Sequence, residues 1–411
     1  MKKFSMTKKG LRKVAVAAMA AMLAVNMTAC ATFDNFKNTF IAGKDVEPEA
    51  TVRVGVFEPL SGEDEAMGEL ELMGIELAHE MFPKALGKDV ELIYGDNKSD
   101  MFVAESVAKE LADKRVAIVL GSYGSSNSLI AVKTFEEAKI PAIAITNTNP
   151  LVTSYNPFYF RVCLLESFQG VALAKYAVEE LGAKTTAIMT EANDDFGTAI
   201  AQTFSDSLVA RVGDNSALVA SCEFKEGDTD YTEPLKKIKK SKAEVVFLPV
   251  DVEQAVAILK QAKKMGINAT FLGTDRWDTE EFAIQMNIAG MENVSFSTIF
   301  DATTTTTVMS QSFLKAYKAK YGADAVPDSA TALGFDAYIL AIDAINKAGT
   351  ALDGDKIREC LSLTKMFPGA SGNITLDSNG DPIKSVVVKT IMEGKAEAVY
   401  TMEPQLVNLN N

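Results

Sequence analysis

The sequence predicts an α/β protein built from two lobes, each a doubly wound parallel sheet. Short runs rich in β-branched residues are apolar on both faces, as expected of strands in a parallel sheet that helices cover on both sides. These runs alternate with segments of helical periodicity, and the alternation starts twice along the chain. The length of 411 residues also suits two domains, at about 100 to 200 residues each.

The first alternation begins near residue 51 and the second after Arg161. The first lobe has predicted strands at Val52–Phe57, Val90–Tyr94, Val116–Leu120 and Ala142–Ile145 and predicted helices at Leu70–Met81, Phe102–Leu111 and Leu129–Ala138. The second lobe has a predicted helix at Gln169–Leu181 and strands near Ala187, Val219, Val245 and Phe271. The tail departs from this rhythm, with helices predicted at Ser310–Tyr321 and Ser329–Ala348 and a Gly-rich segment at Phe367–Gly372.

Residues 1–29 have the layout of an export signal, because basic residues without any acidic residue precede the apolar run Val14–Met27. This run is shorter than the roughly 20 apolar residues that a membrane-spanning helix needs. It ends in Met27-Thr28-Ala29-Cys30, which resembles a bacterial lipobox, in which the cysteine is acylated and becomes the new N-terminus. An ordinary signal peptide cleaved near Ala29 or Ala31 is the alternative. We expect residues 30–50 to be a tether to the lipid anchor.

Composition restricts the possible functions. The net charge of −14 argues against nucleic acid or an anionic membrane surface as a partner. The four cysteines are far apart and indicate neither a disulfide framework nor a metal site, so we expect no metal and no cofactor. The chain lacks a GxGxxG after its first strand, a Walker loop and a GxSxG elbow, which disfavours nucleotide-dependent enzymes and serine hydrolases. A pair of catalytic carboxylates remains open, because acidic residues are plentiful.

Polar loops follow two neighbouring strands of the first lobe. In open α/β sheets, ligands lie beyond the carboxyl ends of the strands, near the N–H groups of helix N-termini. The loop at 121–127 supplies Tyr123, Ser125 and Ser126, and the loop at 146–150 supplies Thr146, Asn147 and Thr148. We therefore expect these six residues to contact a ligand. Ser125 and Ser126 are equally compatible with a purely structural helix cap.

The second lobe offers a carboxylate after its strand near Phe271. Asp275 is placed to face a ligand ammonium across a cleft, with Trp277, the only tryptophan, close by. The alternative is a surface Asp275 paired with Arg276.

Several motifs, taken in order, are similar to those of the branched-chain amino acid binding proteins of ABC importers. The resemblance covers nearly all of residues 51–403, and the lipobox agrees with it. The motifs are Leu60-Ser61-Gly62, residues 121–128, Thr146 to Pro150, Phe160-Arg161, Gln169-Gly170, Asp195-Phe196-Gly197, Gly273-Thr274-Asp275 and Ala332 to Ile345.

The resemblance implies a type I periplasmic-binding-protein clamshell, in which a three-strand hinge joins the lobes. The crossings would lie near 161–166, 296–300 and 366–372. The N-terminal lobe would then comprise 51–163 and 298–366, the C-terminal lobe 164–297 and 367–403, and the tail 404–411. The implied protein is not an enzyme. It captures an amino acid, branched-chain or related, outside the cytoplasm, and its partners are the permease and ATPase subunits of an importer.

The resemblance also implies roles for individual residues. Ser125 and its loop would hold the α-carboxylate, and Thr148 would add a hydroxyl and an N–H. The Thr146 carbonyl and the Asp275 carboxylate would bind the α-ammonium, and Tyr123 would line the pocket.

Three positions depart from the family pattern. Met67 and Phe196 replace aromatic or tyrosine side chains, and Asp251 lies where relatives often carry Gly and Tyr. These departures leave the side chain of the ligand open. The same fold could also bind an amide, an aromatic acid or a short peptide, or act as a sensor. The protein would be lipid-anchored on the outer face of a bacterial cytoplasmic membrane, or periplasmic.

Overall fold

The computed structural model describes residues 50–304 and 306–404. The predicted signal peptide, the acylated Cys30 and nearly all of the predicted tether therefore lie outside the described residues. No helix in the described part of the chain has both the length and the apolar character needed to cross a bilayer.

The first lobe is a six-stranded sheet with the order β2-β3-β1-β4-β5-β6. All pairings are parallel except that of the short β2 with β3. Its elements are β1 (Thr51–Glu58), α1 (Glu65–Met81), β2 (Lys84–Ala85), β3 (Lys88–Asp96), α2 (Met101–Asp113), β4 (Ile118–Gly121), α3 (Ser125–Ala138), β5 (Ala142–Ala144) and β6 (Tyr159–Arg161). The carboxyl ends of β1, β4 and β5 lie at one edge, so the loops that follow them converge there.

The second lobe is a seven-stranded sheet that includes β14 (Val386–Met392) and β15 (Lys395–Met402) from the end of the described chain, and its order is β15-β14-β11-β10-β9-β7-β8. Strands β7 to β11 run parallel, and β14 and β15 add an antiparallel edge. Its elements up to residue 298 are α4 (Glu166–Lys175, continued as a π-helical turn to Glu180), β7 (Thr186–Glu191), α5 (Asp195–Val212), β8 (Leu218–Phe224), α6 (Thr232–Ser241), β9 (Val245–Phe247), α7 (Val252–Lys264), β10 (Thr270–Gly273), α8 (Glu280–Ala289) and β11 (Val294–Thr298). The two parallel-strand sheets confirm the predicted α/β fold class.

The remaining chain is divided between the two lobes. It forms α9 (Val308–Tyr321), α10 (Ser329–Ala348), α11 (Gly354–Ser362), β12 (Phe367–Gly369), β13 (Gly372–Ile374), β14 (Val386–Met392) and β15 (Lys395–Met402). Helix α10 is buried along nearly its whole length and packs against α1 in the first lobe. Its ends are set by the Asp328 cap, which accepts the Thr331 N–H, and by Gly349 in the left-handed region.

The assignment of residues 367–376 differs from the sequence prediction. Phe367, Ile374 and Leu376 belong to the same buried cluster as the first-lobe strands, and β12 contacts α9 and α10. The prediction placed 367–403 in the C-terminal lobe with a crossing at 366–372, whereas in the structure the chain reaches the second sheet only at β14. The reason is packing, because these apolar side chains complete the first core beneath α9 and α10. The crossings in the structure lie at 162–165, 299–307 and 383–385.

Arg161 fixes the start of the first crossing. Its side chain is fully buried, and its Nε lies 2.6 Å from the carboxylate of Asp381. The guanidinium also donates to the carbonyl oxygens of Asn147 at 2.6 Å and Asn149 at 2.8 Å. The hinge is therefore bonded directly to the loop that follows β5.

Candidate functional site

A cleft of about 400 Å³ separates the carboxyl edges of the two sheets. This volume lies in the range usual for small-ligand sites, about 300 to 1,000 Å³. First-lobe lining residues are Asp64, Met67, Leu70, Tyr123, Gly124, Ser125, Ser126, Leu129, Thr146, Thr148, Asn149, Ser329, Ala330 and Leu333. The hinge side and the second lobe supply Glu166, Asn193, Asp194, Asp195, Phe196, Asp251, Asp275, Arg276, Asp278 and Thr279.

The N-terminus of α3 faces the cleft. Gly124 precedes the helix with φ +81°, and the first intrahelical donor is the N–H of Asn127. The N–H groups of Ser125 and Ser126 are therefore among those that an α-helix leaves without an internal acceptor. The Ser125 hydroxyl lies 3.5 Å from the backbone nitrogen of Asn149, which joins the loops after β4 and β5. This arrangement suits an anion such as a carboxylate.

The loop after β5 forms the next part of the wall. The Thr148 hydroxyl donates to Glu166 Oε2 at 3.3 Å, and the Thr148 carbonyl accepts the Glu166 N–H at 3.1 Å. Burial raises the pKa of Glu166 to about 7, against the lowering effect of the Thr148 hydrogen bond. Glu166 is therefore partly protonated near neutral pH.

Two fully buried carboxyls support this wall from behind. Glu58 Oε2 accepts the Tyr123 N–H at 2.7 Å, and Glu71 accepts the Thr146 hydroxyl. The two carboxyls interact with each other, and their remaining oxygens, Glu58 Oε1 and Glu71 Oε2, have no hydrogen-bond donor among the described residues. A proton shared by the pair would satisfy both oxygens. Burial raises the pKa of Glu71 to about 7, and burial together with the Glu71 charge raises the pKa of Glu58. The pair hydrogen-bonds to the Tyr123 backbone and to the Thr146 side chain, which line the cleft. Neither Glu58 nor Glu71 lines the cleft itself.

Glycine at position 121 makes room for this pair. Gly121 has φ +108°, and a Cβ added there would lie 2.2 Å from Glu58 Oε1. The sequence must therefore keep glycine at the end of β4 for Glu58 to reach Tyr123.

Asp275 forms the opposite wall. One of its carboxylate oxygens accepts Gln169 Nε2 at 3.0 Å, and Gln169 Oε1 accepts the Ser297 hydroxyl at 2.9 Å. Burial raises the pKa of Asp275 to about 6, with the Gln169 hydrogen bond opposing that effect. Asp275 is therefore an anion at neutral pH, oriented by a residue that also contacts the hinge strand β11.

Arg276 lies in the second-lobe wall of the cleft. Its Nη1 lies 2.8 Å from Asp251 and 3.4 Å from Asp194, and its guanidinium covers the Phe196 ring with 4.1 Å between Cζ and the ring centroid. Arg276 therefore pairs with Asp251 and Asp194, and the alternative, an ion pair with a surface Asp275, does not form.

Most of the predicted site residues come together in this cleft. Those that line it are Met67, Tyr123, Ser125, Ser126, Thr146, Thr148, Phe196, Asp251 and Asp275. Asn147 is buried behind its neighbours, where its side chain accepts the Ser128 hydroxyl at 3.4 Å. Trp277 is also buried, because the 3₁₀ turn at Asp275–Trp277 directs its indole inward to the Val250 carbonyl, 2.8 Å away. Neither of these two residues lines the cleft.

Sequence reasoning missed several residues of the wall. Asp64, Glu166 and Asp194 line the cleft although none was a candidate. A signal existed for Asp194, which follows β7 and caps α5 by accepting the Phe196 N–H at 3.1 Å. The rule that ligands lie beyond the carboxyl ends of strands was used for β4 and β5. The same rule used for β7 would have identified Asp194.

The geometry suits binding of a small zwitterion. Helix N–H groups and hydroxyls face an anion from one wall, and the Asp275 carboxylate faces a cation from the other. Among the described residues, no group of three or more His, Cys, Asp or Glu side chains has the arrangement of a metal site.

Comparison with known proteins gives one family and consistent relatives. The sequence profile of the periplasmic binding protein family matches residues 51–395. An amino acid binding protein of Pseudomonas aeruginosa is 30% identical over 248 residues, which cover 59% of this chain and 65% of that protein. A leucine-, isoleucine-, valine-, threonine- and alanine-binding protein of the same species is 26% identical over 80% of this chain and 87% of its own.

Two solved structures are similar over nearly the whole described chain. A leucine-binding protein of Thermotoga maritima has a TM-score of 0.79 and 31% identity, covering 87% of this chain and 100% of its own. A branched-chain amino acid transporter substrate-binding protein of Streptococcus pneumoniae, in complex with isoleucine, has a TM-score of 0.78 and 29% identity, covering 86% and 100%.

Proposed function

The chain belongs to the periplasmic binding protein family, whose members are extracytoplasmic solute-binding proteins rather than enzymes, and we propose that it captures an amino acid for an ABC importer. The observation that supports this proposal is that one wall of the cleft suits an anionic group and the opposite wall suits a cationic group. The N-terminus of α3 and the hydroxyls of Ser125 and Thr148 would bind the α-carboxylate, and Asp275 would bind the α-ammonium. The relatives named for amino acids support the same ligand class.

The expected binding free energy is sufficient for capture of an amino acid from dilute solution. A Kd near 1 µM corresponds to about 8 kcal/mol. Charge-assisted hydrogen bonds contribute about 1.5 to 3 kcal/mol each, so the contacts to the two charged groups, with some apolar burial, reach this value.

Capture would close the two lobes over the ligand. Lining residues come from both sheets, so a ligand that bridges Ser125 and Asp275 stabilises the closed arrangement over the open one. Small-angle scattering should show a smaller radius of gyration with ligand than without it.

The proposal also includes an acylated Cys30 and delivery to permease and ATPase subunits. Labelling of expressing cells with a fatty-acid analogue should mark the parent protein and leave Cys30→Ala unmarked. Disruption of the gene in its source organism should reduce uptake of the captured amino acid.

The first test is thermal unfolding of the purified protein with each proteinogenic amino acid. A ligand present at a hundred times its Kd stabilises by about 2.7 kcal/mol, which gives a clear rise in Tm. Asp275→Ala should lower affinity at least about a hundredfold, because the ligand ammonium would be buried unpaired at a cost of about 3 to 5 kcal/mol. The matched control is Asp113→Ala, on the exposed end of α2. A rise with no amino acid, or binding by Asp275→Ala within about tenfold of the parent, would contradict the proposal.

A further inference from the structure

The charges along the cleft bear on which amino acid is bound. Among the described residues that line it, Arg276 is the only Lys or Arg. Seven acidic residues line the same cleft, of which Glu166 is partly protonated near neutral pH: Asp64, Glu166, Asp194, Asp195, Asp251, Asp275 and Asp278. Asp278 is neutralised from outside the cleft by Lys389, at 2.8 Å. A substantial negative excess remains.

Arg276 does not cancel this excess. Its Nη1 is shared between Asp251 and Asp194, so that one cation serves two carboxylates. One face of its guanidinium is covered by Phe196. A ligand carboxylate at Arg276 would lie beside Asp251 and Asp194, which like-charge repulsion disfavours.

The excess is distributed over both walls. Asp64 precedes α1 in the first lobe, whereas Asp194 and Asp251 precede α5 and α7 in the second. Burial raises the pKa of Asp64, and the charges of Glu63 and Asp251 raise it further, so Asp64 and Asp251 interact across the cleft. Closing the lobes brings these carboxylates into a drier space, where their repulsion grows.

An amino acid with a neutral side chain leaves this charge unchanged. Its α-carboxylate and α-ammonium sum to zero, and Asp275 already serves the ammonium. A second cationic group on the ligand would reduce the excess and favour closure. The carboxylates that would bind it, Asp64, Asp194 and Asp251, line the same cleft as Ser125 and Thr148.

We propose that the cleft selects an amino acid whose side chain carries a positive charge, held between Asp64 of the first lobe and Asp194 and Asp251 of the second. This inference rests on the proposed capture of an amino acid and names the class of its side chain. Met67 and Phe196 would contact the aliphatic part of that side chain.

The experiment compares ligands that differ in charge at nearly constant shape. Titration calorimetry of the purified protein at pH 7.5 uses L-arginine against L-citrulline, and L-lysine against L-norleucine. We expect the cationic member of each pair to bind at least about tenfold more tightly, and more weakly as salt is added. Asp64→Asn and Asp251→Asn should each reduce the arginine-to-citrulline ratio by about threefold or more, whereas Asp113→Asn should not change it.

The outcomes separate this inference from the proposed function. If citrulline and norleucine bind as tightly as their partners, the charge selection is wrong and amino acid capture stands. If none of the four ligands binds and no other amino acid does, both are wrong. If the preference exists but neither Asp64→Asn nor Asp251→Asn reduces it, the assignment to these carboxylates is wrong.

Discussion

The substitution Glu58→Gln tests whether the buried carboxyl pair shares a proton. In the folded protein Glu58 accepts the Tyr123 N–H, and its carboxyl interacts with that of Glu71. A glutamine retains an oxygen for Tyr123 and supplies an N–H to Glu71, so Glu71 can then ionise without a facing carboxylate. The variant thus removes the proton that Glu58 binds and keeps the shape of its side chain.

The expected effect concerns stability against pH. The pKa of Glu71 rises from 4.5 to about 7 on folding, so the folded state holds a proton that the unfolded state releases. The stabilisation by this proton is complete below pH 4.5 and is lost as pH rises toward 7. A shift of this size corresponds to about 3 kcal/mol in the free energy of unfolding. Both proteins keep this contribution of Glu71, because burial is its main cause. The parent should lose more than this amount, since the pKa of Glu58 is raised as well, whereas Glu58→Gln lacks that second proton and should lose less.

Urea unfolding at pH 5 and pH 7.5 measures the difference. Other carboxyls with raised pKa, including Asp328 at about 6, add the same slope to both proteins and cancel in the comparison. Glu69→Gln is the matched control and should follow the parent, since Glu69 is exposed on α1, the helix that carries Glu71. Equal pH slopes in the parent and in Glu58→Gln would refute the shared proton.

Two further predictions concern the cleft and the hinge. Amino acid affinity should fall about tenfold between pH 7.5 and pH 5 in calorimetry, because Asp275 and Glu166, with pKa values of about 6 and about 7, take up protons and lose the charge that attracts an ammonium; an unchanged Kd would contradict this. Arg161→Ala should lower the free energy of unfolding by about 3 to 5 kcal/mol, because it leaves Asp381 buried without its cation, whereas Arg115→Ala on the surface should have little effect; equal urea midpoints would show that the ion pair is dispensable.

Long periodic elements were predictable, and their functional ends were not. The prediction for α10 agrees with the structure at both ends because its apolar face is continuous and its caps are clear. Helix α3 begins at Ser125, four residues before the periodic pattern at Leu129, because its first turn faces the cleft and carries no apolar signal. Helix α1 begins at Glu65 and not at Leu70, and its first turn also reaches the cleft, through Met67.

Packing between residues that are distant in sequence could not be predicted from local sequence patterns. The strand residues Phe367 and Ile374 pack in the first lobe because its core has space for them, which no local signal reveals. Trp277 turns inward because Gly273 leaves room for its ring: a Cβ at that position would lie 2.2 Å from the indole. Asp64 approaches the second-lobe carboxylates only once both lobes are folded.

The burial of Trp277 gives the chain a built-in optical probe of one lobe. It is the only tryptophan in the sequence, and its indole packs on Phe282 with ring centroids 4.8 Å apart in the core of the second lobe. Tryptophan emission therefore follows melting of that lobe, while far-ultraviolet circular dichroism follows both. Coincident transitions would mean that the three crossings couple the lobes into one cooperative unit, and separated transitions would mean that each lobe melts independently.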